Sequence, residues 1–206
     1  TGSNALNNLQ ITMGSSANSC HFLRIVGTAN RIRGNLTVAE GIFHTNVNGD
    51  SFTVDGNVEV HSGGTLGHAD HDGADSFGSL LVDAGGTCIA SEGVTTILGS
   101  SGGFAFKNEG TFTHNSGTVK IDFETSNLNS NTRIHQTGVK EINNFEIEMN
   151  RTTDEVQFSI ASGTSQGLAG NFTLTKGEAF LYTVDAHAHS FDVDGSFLVD
   201  ANGTWG

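Results

Sequence analysis

The densest set of side chains able to do chemistry is His68-Ala69-Asp70-His71-Asp72-Gly73-Ala74-Asp75, a polar break between Leu66 and Phe77. Asp oxygens suit a hard cation such as Ca²⁺, and imidazole beside carboxylate suits Zn²⁺ or another transition metal. His68, Asp70, His71, Asp72 and Asp75 are therefore the candidate metal ligands. Their spacing matches neither an EF-hand loop nor a helical zinc motif. The expectation is an acidic Asp/Gly loop at a corner of the fold, solvated and mobile because its like charges are unpaired. On that reading no cofactor is bound, and Ca²⁺ or another divalent cation is the alternative.

A second candidate is Asp185-Ala186-His187-Ala188-His189, whose two histidines share a face if the segment is a strand. It lies in a small insertion and reads as a turn. Arg24, Arg31 and Arg33 are the one basic grouping and read as surface charges balancing an acidic protein. No Ser-His-Asp arrangement, phosphate loop or CxxC pair can be pointed to. Cys20 and Cys88 are too few for a disulfide framework and read as buried free thiols. Asn35, Asn150, Asn171 and Asn202 open glycosylation sequons, but in a chain so rich in Asn and Thr laddering between repeats explains them better.

The elements that would position these residues follow from a repeat. Residues 7–41 align without gaps to 143–177: Asn7-Asn8-Leu9-Gln10-Ile11 matches Asn143-Asn144-Phe145-Glu146-Ile147, and Gly34-Asn35-Leu36 matches Gly170-Asn171-Phe172. After a three-residue insertion, Ser51-Phe52-Thr53-Val54-Asp55-Gly56 meets Ser190-Phe191-Asp192-Val193-Asp194-Gly195, so that 7–67 matches 143–206. The chain holds about one and a half copies of a long unit. Within it a shorter motif recurs: Gly, any residue, an apolar residue, any residue, then Val or its like. Gly34, Gly56, Gly78, Gly170 and Gly195 begin it, the first three 22 residues apart.

Such alternation puts one face of each short strand inward. Glycine at each corner would permit a positive φ and close backbone approach, and the Asn or Ser after it would ladder with its counterpart one coil away. Gly reaches 28 copies and Pro none, Phe contributes 14 residues, and aliphatic plus aromatic residues total only 35%. That composition suits a thin core of stacked layers. The predicted fold is all-β, a parallel β-helix (β-solenoid) of about 22-residue coils, forming one domain over 1–206. The motif runs to Trp205-Gly206 and neither terminus carries a capping pattern, so the expectation is a piece of a longer chain.

Gly110-Thr111-Phe112-Thr113-His114-Asn115-Ser116-Gly117-Thr118-Val119 together with Asn143-Asn144-Phe145-Glu146-Ile147 resembles β-solenoid repeats of bacteriophage virion proteins and bacterial surface proteins. The resemblance implies structure, display or adhesion, on a fibre, spike or capsid decoration, and so a place on the virion or on the cell surface. It covers nearly the whole chain except 123–142, which is polar and irregular.

The charge narrows the partners. With 22 acidic and 9 basic residues the net charge is −13, against the cationic surface that nucleic acid or an anionic membrane requires. No run of about 18 apolar residues occurs, so membrane insertion by a helix is not expected. The expected partners are other copies of the chain or other structural subunits, with a cell-surface glycan as a further one. A carbohydrate-binding or carbohydrate-cleaving β-helix is the competing function. It would need aligned acids and an aromatic platform, and Tyr182 and Trp205 are the lone Tyr and Trp.

Overall fold

The computed structural model describes residues 6–21, 30–45, 51–99, 103–122, 132–137, 141–160, 166–183 and 190–206, without the side chains of 160 and 180–183. Among them every regular element is a strand, and every strand pairing is parallel. The chain is a parallel β-solenoid with turns of about 24 residues.

Three columns of strands make the walls. In the first, Leu9, Leu36, Val58, Leu80, Phe106, Ile134 and Phe158 stack in register. In the second, Ile32, Val54, Phe77, Ile97, Ile121, Ile147, Leu174 and Val199 do the same. The third runs through Cys20, Phe43, Leu66, Cys88 and Phe112, with Leu168 and Val193 paired further along. Nearly all of these point inward and are buried, forming one continuous core. Parallel strands buried from one side by their own alternation are what the pattern Phe52-Thr53-Val54 dictates.

The 22-residue coil holds from Leu36 to Val58 to Leu80, then lengthens on the way to Phe106 and Ile134. The inward register is the same on either side of the added residues. In the same stretch an inward rank of the first column changes from Val38, Val60 and Val82 to Asn108 and Gln136. Gln136 Nε2 donates to the Gly167 carbonyl at 2.9 Å, and Gln166 Nε2 donates to the Gln136 carbonyl at 2.8 Å. These buried amides bond across coils in place of apolar packing.

Matched residues of the two repeats fall on different walls. Leu9 and Leu36 pair in the first column, and their counterparts Phe145 and Phe172 pair in the second. An offset of 136 residues, as from Leu9 to Phe145, is not a whole number of turns of about 24. The local geometry is nevertheless the same. The strands shift register between Ile11 and Thr12 and between Ile147 and Glu148. There Gly41 (φ 95°) faces Met13, and Gly177 (φ 104°) faces Met149. A side chain at either glycine would be strained by its φ and would run into the methionine.

The motif glycines need a different explanation from the one expected. Gly34, Gly56, Gly78, Gly170 and Gly195 do not have positive φ. What they share is a neighbour too close for a Cβ. At Gly56 it would collide with Asn35 Oδ1 and the Gly34 carbonyl, and at Gly78 with the carbonyls of Gly56 and Asp55. At Gly34, Gly170 and Gly195 it would collide with Asn8, Asn144 and Asn171 Oδ1 respectively. At all of these but Gly78, the crowding side-chain atom belongs to an asparagine ladder. Asn8 Oδ1 accepts from the Asn35 amide at 2.8 Å, and Asn35 Oδ1 from the Asn57 amide at 2.9 Å. Asn144 and Asn171 Oδ1 serve the amides of Asn171 and Ser196 at 3.0 and 2.8 Å.

Candidate functional site

The loop of the candidate ligands divides into an outer and an inner half. Asp70 and Asp72 face solvent, the Asp70 side chain being 83% exposed. His68 Nδ1 accepts from the Asp70 backbone amide at 3.1 Å, which turns the imidazole toward its own loop. His71 and Asp75 turn the other way. Both are buried, and His71 Nε2 lies 2.9 Å from Asp75 Oδ1. Burial pushes the Asp75 carboxyl above its usual range, while the bond to His71, the charge of His71 and the Phe52 amide pull it back.

The expected solvated, mobile loop is therefore corrected for its inner half, where a paired imidazole and carboxyl offset each other's desolvation. The loop is also strapped to the coils above it. Ser91 Oγ donates to the Gly73 carbonyl, the Glu92 amide to the His71 carbonyl at 2.8 Å, and Asn115 Nδ2 to the Ala69 carbonyl at 3.4 Å. Asp70 and Asp72 are on the outside and Asp75 inside, so the five ligand candidates do not converge. Among the described residues no three His, Cys, Asp or Glu side chains are placed to share a metal ion.

A grouping that the motif search missed is a histidine stack on the third column. The His21 and His44 rings lie 4.2 Å apart, nearly parallel, and His68 meets the His44 ring edge-on at 5.1 Å. Their spacing in sequence, close to one coil each, was the signal that could have found them. Burial lowers the His44 pKa, and the charges of His21 and His68 lower it further.

On the outer faces, charges pair between coils. Arg31 makes a bidentate contact with Asp55, Nε to Oδ1 at 2.9 Å and Nη2 to Oδ2 at 2.8 Å. Lys120 sits among Glu148, Glu146 and Asp122 at 2.5, 3.4 and 3.5 Å. Burial works against its ammonium, but the bond to Glu148 and the three carboxylates outweigh that and raise its pKa. Of the two cysteines Cys88 is buried, with its thiol pushed up by burial and by Asp75, whereas Cys20 is only partly covered. Arg24 and the segment Asp185 to His189 lie outside the described residues.

No family model matches the chain, no curated protein matches it, and no solved structure matches it.

Proposed function

We propose that the chain is a structural or display element, a rod on a virion (fibre, spike or capsid decoration) or on a cell surface, with adhesion as one use of its outer faces. The observation that carries this reading is where the repeated polar residues are spent. Asn8, Asn35, Asn144 and Asn171 each accept a backbone hydrogen bond from the next coil, and Arg31 and Lys120 pair with carboxylates of neighbouring coils. Side chains that recur with the coil and bond to the coil support a long, self-consistent stack. The resemblance of Gly110–Val119 and Asn143–Ile147 to phage and bacterial-surface repeats favours the same role. Other copies or structural subunits are the natural partners of such an element, and a surface glycan is the natural ligand of an adhesive one.

Immunogold labelling of intact virions and unlysed cells of the encoding organism tests this, alongside incubation of the purified chain with a panel of polysaccharides. Gold at the surface with no release of sugar ends is expected. Polysaccharide cleavage, or gold confined to the cell interior, would overturn the reading.

A further inference from the structure

The inner rank of the second column runs Asn30, Phe52, Asp75, Thr95, Val119, Phe145, Phe172 and Phe197. At two successive levels, between the ring of Phe52 and the aliphatic chain of Val119, this rank carries a carboxyl and a hydroxyl. Both are buried, Asp75 at 5% exposure and Thr95 at 2%. The shorter side chains leave a cavity between coils, bounded by Thr45, Asp75 and Thr95 and walled by Leu66, Phe77 and Leu80. It is a gap in an otherwise filled ladder.

The polar groups around it are left in need of partners. Thr45 Oγ1 and Thr95 Oγ1 are wholly buried and have no hydrogen-bond partner among the described residues. Asp75 already receives His71 and the Phe52 amide, and a carboxylate has about four acceptor directions. A buried hydroxyl without a partner is costly, and native interiors satisfy such groups with protein or with ordered water. A cavity that offers two to four polar partners and room for one water molecule holds a water, whereas an apolar one stays dry. A hard cation would need six or more oxygens, and the remaining walls here are hydrocarbon and the Cys88 thiol.

We propose that this niche binds one water molecule, which donates to the Asp75 carboxyl group and exchanges hydrogen bonds with the hydroxyls of Thr45 and Thr95. The water joins three consecutive levels of the solenoid through the core, at the place where aromatic stacking is interrupted. It also gives the buried Asp75–His71 pair a further polar contact, so the inner half of the acidic loop is anchored from within.

Water-to-protein NOE spectroscopy on the isotope-labelled chain reads the site directly. Long-lived water cross-peaks to the Thr45 and Thr95 protons are expected, retained in Thr95→Ser and lost from Thr95→Val combined with Thr45→Val. Circular dichroism checks that each variant is folded. If the double valine variant does not fold, the wild-type and Thr95→Ser spectra decide. Absence of long-lived cross-peaks at both threonines in the wild type overturns the proposal. So does a cross-peak that survives unchanged in a folded double valine variant, because that water would be held elsewhere.

Discussion

Residues 51–66 and 190–205 are two renderings of one sequence, and they end in different environments. In the first, Phe52, Val54, Val58 and Val60 are fully buried, with Asn30–Ile32 and Leu36–His44 on one side and Asp75–Val82 on the other. In the second, Phe191 and Val193 are only partly covered, Phe197 is 45% exposed and its neighbour Leu198 50%. There Phe197–Trp205 pairs with Phe172–Thr183 on one edge, and no described strand lies on the other. Equal patterns acquire unequal burial because in a solenoid each coil is sealed by the next. The stability carried by a residue therefore follows its place in the stack more than its type.

The largest expected effect that could break this comparison comes from placing a charge at matched positions. Val58→Asp puts a carboxylate into a dry stack with nothing to pair it, at a cost of about 4 kcal/mol or more, enough to remove a large part of a domain's stability. Phe197→Asp places the same group where water reaches it and should cost about 1 kcal/mol or less. Urea unfolding followed by circular dichroism measures both. Equal losses would mean that burial by neighbouring coils is not what stabilises these strands.

Removing a ring sharpens the same contrast with a smaller effect. Phe52→Ala should cost about 3–5 kcal/mol, since Phe43 and Phe77 pack against that ring at 5.9 and 6.4 Å and cannot close the void. Phe191→Ala should cost clearly less, its site being already partly open to solvent. Thermal melts of the pair rank them.

Next in size is Gly56→Val, expected to cost about 1–3 kcal/mol by overpacking against Asn35 Oδ1 and the Gly34 carbonyl, with no contribution from φ. Asn35→Ala in the same chain should recover part of the loss, since it removes one of the two colliding atoms. If strain came from a left-handed backbone instead, the second substitution would only add to the damage.

The fold was legible because strand alternation and coil spacing are local signals, repeated until chance is excluded. The role of the motif glycines was half legible: their recurrence marks a corner, but a positive φ and a close neighbour demand the same residue. The acidic loop misled for a related reason. His71 and Asp75 look like their neighbours Asp70 and Asp72 in a linear reading, and only the register that sets Asp75 between Phe52 and Thr95 turns one half inward. Cys20 was expected to be buried like Cys88. Its strand Ser19–His21 pairs on one edge with Leu36–His44, and no described strand lies on its other edge.

The smallest expected effect concerns the histidine stack of the first repeat, which has no counterpart in the second, where continuing the same 136-residue offset matches His44 with Phe180. His44 faces His21 on one side and His68 on the other, with Asp70 3.8 Å from the His68 ring and partly screening it. Burial first, and the two neighbouring imidazoles second, hold the His44 pKa below its ordinary value of 6.5 in the folded chain. The unfolded chain therefore takes up that proton first as the solution is acidified. Stability from this group is fully present above about pH 6.5 and is lost as the pH falls toward the folded value. His44→Phe, which copies the second repeat and keeps a ring in the stack, should flatten the fall in melting temperature between about pH 7 and 5 while leaving the neutral-pH value little changed. Melting curves of the two proteins across that range check it, and parallel curves would show that the stack contributes nothing to acid sensitivity.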